Sequence, residues 1–296
     1  MDVEDWIRAH VEPTGAIEVE KERPWATTLR VPTADGPVWF KAAGGVQLFE
    51  PRLTAQLAAR WPDRVTEVIA HDEERAWLLM GDAGTAIGVY GNPPEAWEQI
   101  LPRYAELQIG ETAHAADHLA HEVPDRTLAQ LPELYDDLAA RDLPLDAADR
   151  ARLRDLRPRF AGLVDELVSR GIADTVQHDD LHFANVFEKN GRLRVLDWGD
   201  ACISHPFFSL VVTLQFLVEV SGRDPGDPWL PRLRAAYLEP WGRDLGGVLE
   251  LALRVGAVAY AIAWARQRDH LPDDEVAEFE GYWGDNLRRA IAQIER

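Results

Sequence analysis

The sequence predicts an α+β protein in which a small antiparallel β-rich N-terminal lobe, residues 1–80, precedes a larger, mainly helical lobe, residues 81–296. Three observations predict it. Segments within the first eighty residues alternate apolar and polar side chains and are separated by turn signals such as Ala34-Asp35-Gly36. Beyond Gly91-Asn92-Pro93-Pro94, apolar residues recur three and four apart almost throughout. Between the two, the apolar strand Trp77-Leu78-Leu79-Met80 runs straight into Gly81-Asp82-Ala83-Gly84, a flexible link with the character of a hinge.

Taken in order, Asp2 to Ala16 carries an amphipathic helix pattern with Trp6 and Ile7 on one side. Trp25 to Val31 alternates as a strand, and Pro37 to Lys41 returns beside it. Gly44-Gly45 breaks the chain. Phe49 to Trp61 then places Leu53, Leu57 and Ala58 on one helical stripe, with Pro51 suited to the first turn. Val65 to Ala70 and Arg75 to Met80 form a second strand pair around His71-Asp72-Glu73-Glu74. Helices are expected at Ala96 to Ile109, Leu128 to Ala139, Ala147 to Val168, Phe207 to Val220, Trp229 to Tyr237, Leu245 to Arg266 and Glu275 to Ile294.

The composition, 46% hydrophobic and 28% charged, is that of a globular chain, and 296 residues suffice for one large domain or two. No apolar run reads as a membrane span, and the acidic start MDVEDWIRAHVEP is unlike a signal peptide. Cys202 is the only cysteine, which excludes a disulfide framework and a Cys-based zinc site, so a cytoplasmic protein is expected. The net charge of −20 repels nucleic acid and acidic membranes, neither of which is an expected partner, and favours the approach of cationic solutes. Lysine is kept only at Lys21, Lys41 and Lys189, all other basic side chains of the Lys/Arg pair being arginine. A compact ammonium that meets phosphate as a point charge is one reason to keep a lysine.

The most informative stretch is Val176 to Ala201. One apolar run leads into His178, and a second, Leu193-Arg194-Val195-Leu196, ends at Asp197. The polar bend Lys189-Asn190-Gly191-Arg192 between them has the chemistry that closes a β-hairpin. Two short strands are therefore expected to present His178, Asp180, Asn185 and Asp197 together. These residue types suit phosphoryl transfer. One carboxylate, Asp180, can hold an attacking hydroxyl in line and take its proton. The amide oxygen of Asn185 and the carboxylate of Asp197 are hard ligands suited to Mg²⁺. His178 is expected to brace the loop through hydrogen bonds.

The spacing His178-x-Asp180-x4-Asn185, followed by Leu196-Asp197-Trp198-Gly199, resembles the aminoglycoside phosphotransferase family, kin to choline and homoserine kinases. Phe40-Lys41, the helix from Glu50 and LLMGDAG at residues 78–84 precede it in the family's order. The resemblance implies a bilobal protein-kinase-like fold and an enzyme that uses ATP and Mg²⁺. Its acceptor would be a hydroxyl of a small molecule, an aminoglycoside, amino sugar or similar compound, cationic ones included, and the state a monomer or homodimer. It implies Lys41 as phosphate anchor and Glu50 as the acid that positions it, unless Glu50 only caps its helix. Thr27, with Thr28, would meet the phosphates, and backbone groups at Met80, Gly81 and Ala83 the adenine edge. Asp180 would be the catalytic base, and Asn185 and Asp197 the metal ligands. The chain lacks a Gly-x-Gly-x-x-Gly loop, which argues against a protein-kinase phosphate clamp and a dinucleotide fold.

There are departures from the family pattern. Ser209 stands where an acid that ties down the catalytic loop is expected, so bracing would fall to other groups, His205 among them. Asp179 occupies a position commonly held by glycine, and a solvated acid is expected there. Asp200 could face substrate or stabilise its turn. Asp269, Asp273, Asp274, Glu275 and Glu278 are expected to form a solvated helix start. The rival reading is a catalytically silent nucleotide-binding or scaffold protein that keeps the fold.

Overall fold

The computed structural model describes residues 2–220, 222, 224–242 and 244–296. Two compact units make up the chain, Met1–Ala96 with Phe183–Gly199, and Trp97–His182 with Asp200–Arg296.

In the first unit, helix α1 (Val3–His10) begins where the Asp2 carboxylate accepts a 2.8 Å bond from the Asp5 amide. It stops at Val11, ahead of Pro13, and is shorter than the expected Asp2–Ala16. A five-stranded sheet follows: β1 (Glu18–Arg23), β2 (Ala26–Thr33), β3 (Gly36–Ala43), β4 (Val68–Asp72) and β5 (Trp77–Met80), ordered β1-β2-β3-β5-β4 and antiparallel throughout. Strand β1 is not signalled by the sequence, because all six of its side chains are exposed and no apolar alternation marks it. Side chains alternate across a strand. Phe40 and Leu79 therefore face Trp6 and Ile7 of α1, while Lys41 points to the opposite face. Helix α2 (Glu50–Arg60) carries Glu50 as its first residue.

A second sheet of this unit pairs β6 (Thr85–Ala86) with β8 (Val186–Lys189) and β8 with β9 (Arg192–Val195), β7 (Thr175–Gln177) belonging to the other unit. Asn190 and Gly191, at φ 54° and 75°, close the β8–β9 hairpin as their residue types predict. The apolar run before His178 is not part of that hairpin, contrary to expectation. It is β7, and it pairs with β10 (Cys202–Ser204), a strand too short to announce itself.

The second unit is mainly helical: α3 (Pro94–Glu111, its first turn in the other unit), α4 (Ala115–Ala120), α5 (Leu131–Ala140), α6 (Ala147–Asp155), α7 (Arg157–Ser169), α8 (Ser209–Gln215), α9 (Trp229–Leu238), α10 (Gly246–Arg268) and α11 (Asp273–Glu295). The single helix expected over Ala147–Val168 is two, because Pro158 lacks an amide donor and fits only the first turn of a new helix. Helix α10 does contain an apolar window of membrane-spanning length, with mean hydropathy 1.6, which the sequence reading passed over. In this fold 72% of that window is buried, and α5, α7, α8, α9 and α11 pack around it, so it is a core helix that is apolar on several sides.

His205 is fully buried beside β10, its ring 5.0 Å from that of Phe207 and 5.3 Å from that of Phe208. Its Nδ1 accepts from the Phe207 amide at 3.3 Å, and its Nε2 has no partner among the described residues. Burial pushes its pKa down to about 3 from 6.5. The unfolded chain therefore takes up this proton first, and stability present above about pH 6.5 is lost as the pH falls towards 3. His205→Leu is expected to lose about 2–3 kcal/mol less stability than the parent between pH 7 and pH 4.5. Urea midpoints at the two pH values measure this, and equal losses would contradict it.

Candidate active site

In the first unit Lys41 is the centre of a charged cluster. Its Nζ lies 2.7 Å from Glu50 Oε2, 2.9 Å from Glu50 Oε1 and 2.7 Å from Asp197 Oδ1. Strand β3 delivers the lysine, the first turn of α2 the glutamate, and the chain just past β9 the aspartate. Lys41 and Glu50 are buried, at 7% and 1% exposure, whereas the Asp197 side chain keeps 42%. Burial alone would lower the lysine pKa; Asp197 and Glu50 outweigh it and hold the ammonium above its ordinary value. Burial raises Glu50 to about 7, against the pull of Lys41 and of a bond from the Trp198 backbone. The cap position of α2 is Phe49, so Glu50, the first helical residue, pairs with Lys41 rather than capping its helix.

Asp197 sits at φ 63°, in the left-handed region that an L-residue enters at a cost of about 1–3 kcal/mol. The Leu196 amide donates to the Asn185 carbonyl at 2.9 Å, and Val186 pairs with Val195, so Asn185 and Asp197 leave the β8–β9 hairpin at the same end. At Gly199 a Cβ would meet the amide end of Gln47, buried in the turn before α2, so a larger residue there would have to displace that side chain.

The second unit holds the loop that bears Asp180. The His178 amide donates to the Tyr104 hydroxyl at 2.9 Å, and His178 Nδ1 accepts from the Asp180 amide at 3.3 Å. Tyr104 in turn contacts Ser209 Oγ at 2.8 Å. Gln108 Nε2 donates to the Val176 carbonyl at 3.0 Å and to that of Pro206 at 3.1 Å, and Tyr237 donates to Gln108 Oε1 at 2.6 Å. Thr213 Oγ1 donates to the Leu181 carbonyl at 2.7 Å. The loop is therefore braced by Tyr104, Gln108 and Thr213, whereas the His205 side chain accepts from the Phe207 amide of its own turn.

Two further side chains touch the loop. His182 Nε2 lies 3.2 Å from Asp180 Oδ2, and its ring stacks on Phe216 at 4.4 Å. Asp179, expected in solvent, is 4% exposed and ion-paired with buried Arg126. Its burial pushes the carboxyl up to about 6 although Arg126 pulls the other way.

A model of the phosphotransferase enzyme family matches residues 25–251, a span that includes the Lys41 cluster of the first unit and the Asp180 loop of the second. The chain belongs to that family. The first solved structure it resembles is choline kinase LicA from Streptococcus pneumoniae, at TM-score 0.66 and 13% identity over 99% of this chain and 97% of that one. A structure of LicA in complex with AMP gives 0.63 and 13% over 99% and 96%. Macrolide 2'-phosphotransferase MphH from Brachybacterium faecium gives 0.57 and 17% over 96% and 95%. At these identities the likeness establishes the fold, which is kinase-like. No curated protein matches the sequence.

Within this phosphotransferase the other expected site residues are unevenly placed. Thr28, not Thr27, is the direct cross-strand partner of Lys41; Thr27 pairs with Ala42 and so lies on the α1 face of the sheet. Met80, opposite Trp39, does share the face of Lys41. The Gly81 amide is engaged by the Glu67 carbonyl at 3.0 Å, and the Gly81 carbonyl accepts from Thr66 Oγ1 at 3.3 Å. Ala83 is buried, and the neighbouring Gly84, at φ 93°, leaves no room for a Cβ against the Glu188 carbonyl. The carbonyl of Asp200 accepts from Arg126 at 3.2 Å. Asp269 is paired with Arg141 at 2.7 Å, and Asp273, Asp274 and Glu275 form the first turn of α11, where acids suit the helix dipole.

The sequence reading missed Arg126, Tyr104 and His182. His182 carried a signal, two residues from Asp180 in the same motif; Arg126 and Tyr104 are 53 and 74 residues from their loop partners and carried none.

Proposed function

We propose that this phosphotransferase moves the γ-phosphate of ATP to a hydroxyl of a small molecule, an aminoglycoside, amino sugar or similar compound, with cationic acceptors favoured by the net charge of −20. The reading includes Mg²⁺ as cofactor, a cytoplasmic protein that acts as monomer or homodimer, a nucleotide-holding N-terminal lobe and an acceptor-holding helical one. The observation that carries it is the buried ammonium of Lys41 held at 2.7 Å by both Glu50 and Asp197. An ammonium oriented this way is poised to meet phosphate oxygens, and a ligand carboxylate beside it can face a divalent ion. The nucleotide itself is supported by the kinase-like fold and by the AMP bound in the LicA complex.

The donor set fits Mg²⁺. Asn185 and Asp197 offer one amide and one carboxylate oxygen at one end of a hairpin. The described residues contain no cluster of three or more His, Cys, Asp or Glu that would make an all-protein cage. Mg²⁺ is commonly held by one or two side chains, waters and phosphates. When bound it would neutralise charge on the phosphates. Lys41 contacts the non-transferred phosphates, and Asp180 accepts the proton of the acceptor hydroxyl as its oxygen bonds to the γ-phosphorus and the bond to the ADP oxygen breaks.

The test is ATP turnover against a panel of hydroxyl-bearing amines and sugars, with Mg–ATP binding measured separately. Asp197→Ala is expected to weaken Mg–ATP binding by about 10–100-fold. Unchanged binding would remove Asp197 from the metal site. A thermal shift with Mg–ATP but no turnover on any acceptor would favour the catalytically silent reading.

A further inference from the structure

We infer that Arg126 is a positioning residue for Asp180, acting through Asp179; its kinetic consequence rests on the function proposed above. Asp179 directly precedes Asp180 and has φ 63°, in the left-handed region that favours glycine. A strained residue of this kind persists only where its surroundings over-determine it. Here they do so with a buried ion pair: the Arg126 guanidinium binds Asp179 Oδ2, and Gln177 Nε2 donates to Asp179 Oδ1 at 3.0 Å.

Arg126 is itself tied down. Its amide donates to the Ile203 carbonyl at 2.9 Å, and its carbonyl accepts from Ser204 Oγ at 2.6 Å. The second guanidinium nitrogen donates to the Asp200 carbonyl at 3.2 Å. The guanidinium thus links the segment 200–204 to the residue before Asp180, and its planar fork fixes direction as well as distance. Each charge is buried and depends on the other, so the pair is an all-or-none contact. On the other side of the turn, His178 hangs from Tyr104. Ser209 reaches the loop through that hydroxyl and through Gln108, whose Nε2 donates to Ser209 Oγ at 3.4 Å, and it supplies no charge. The backbone that carries Asp180 is held from both sides, and the ionic half of the hold is Arg126–Asp179.

Two measurements on the full chain test this. Hydrogen exchange of the 177–183 amides is followed without ligand in the parent, Arg126→Met, Arg126→Lys and the double variant Arg126→Met/Asp179→Gly. Turnover of Mg–ATP with water as acceptor gives kcat and KM for the same proteins. Arg126→Met is expected to speed exchange in this segment about tenfold, and to lower kcat about 100-fold with KM for Mg–ATP unchanged. Arg126→Lys keeps the charge without the fork and should recover part of both. The double variant lacks both the lone buried carboxylate and the strained residue, so its Tm should return towards the parent's while exchange stays fast and kcat low. Recovery of exchange and kcat together with Tm would overturn the positioning role, as would parental exchange in Arg126→Met. A parent with no turnover on water or on any acceptor would count against the proposed function, and the exchange measurement would still decide the role of Arg126.

Discussion

Asp180→Asn is expected to lower the rate of phosphoryl transfer about a thousandfold while leaving Mg–ATP affinity close to that of the parent. Asparagine keeps the shape of the side chain and an oxygen for the neighbouring His182, 3.2 Å from the carboxylate, but it cannot accept the proton of an attacking hydroxyl. The position is open enough to tolerate the change, since 30% of the Asp180 side chain is exposed. Stability should therefore hardly move, and the loss should appear in kcat. Single-turnover rates with a saturating acceptor from the panel, alongside nucleotide titrations, make the measurement. A variant as fast as the parent would show that Asp180 takes no part in the chemistry.

Lys41→Met should have the largest effect on the fold and abolish productive nucleotide binding. It leaves Glu50, 1% exposed, without its counter-charge, and removing one partner of a buried ion pair costs about 3–5 kcal/mol. The destabilisation should depend on pH in a defined direction. Burial and Asp197 both raise the Glu50 pKa, and without Lys41 the pull that offsets them is gone. A folded-state pKa above the unfolded value of 4.5 means that the native variant holds the proton more tightly. Its stability is thus greatest below about pH 4.5 and is lost as the pH rises through and beyond 7. Urea midpoints of parent and variant should fall in parallel below about pH 7, where both hold the Glu50 proton, and diverge between pH 7 and pH 9, where only the parent's Glu50 ionises. Lys41→Met/Glu50→Gln should regain most of the stability, because no buried charge remains, and none of the Mg–ATP affinity. Constant destabilisation across that range would mean that Glu50 is not the group left uncompensated.

The α+β class, the kinase-like fold and the family were legible in the sequence because their signals are local. Period-two and period-3.6 patterns mark strands and helices within a dozen residues. His178, Asp180 and Asn185 fall within eight positions, and Asp197 follows one hairpin later. Lys41 stood out because the chain holds only three lysines. Strand β1 was invisible because a strand exposed on both faces carries no alternation and is defined by backbone pairing alone. Thr27 and Thr28 could not be told apart because strand register, which a shift of one residue inverts, cannot be read from one strand by itself.

What the chain determined by itself is thus the identity of the chemically able side chains and the elements that carry them. The tertiary structure alone decided which partner each buried cation meets: Lys41 the half-exposed Asp197, 156 residues away, and Arg126 the buried Asp179, 53 residues away. The physical reason is that propensity and turn chemistry act between near neighbours, whereas a buried ion pair is selected by desolvation, which exists only once distant segments have packed and excluded water.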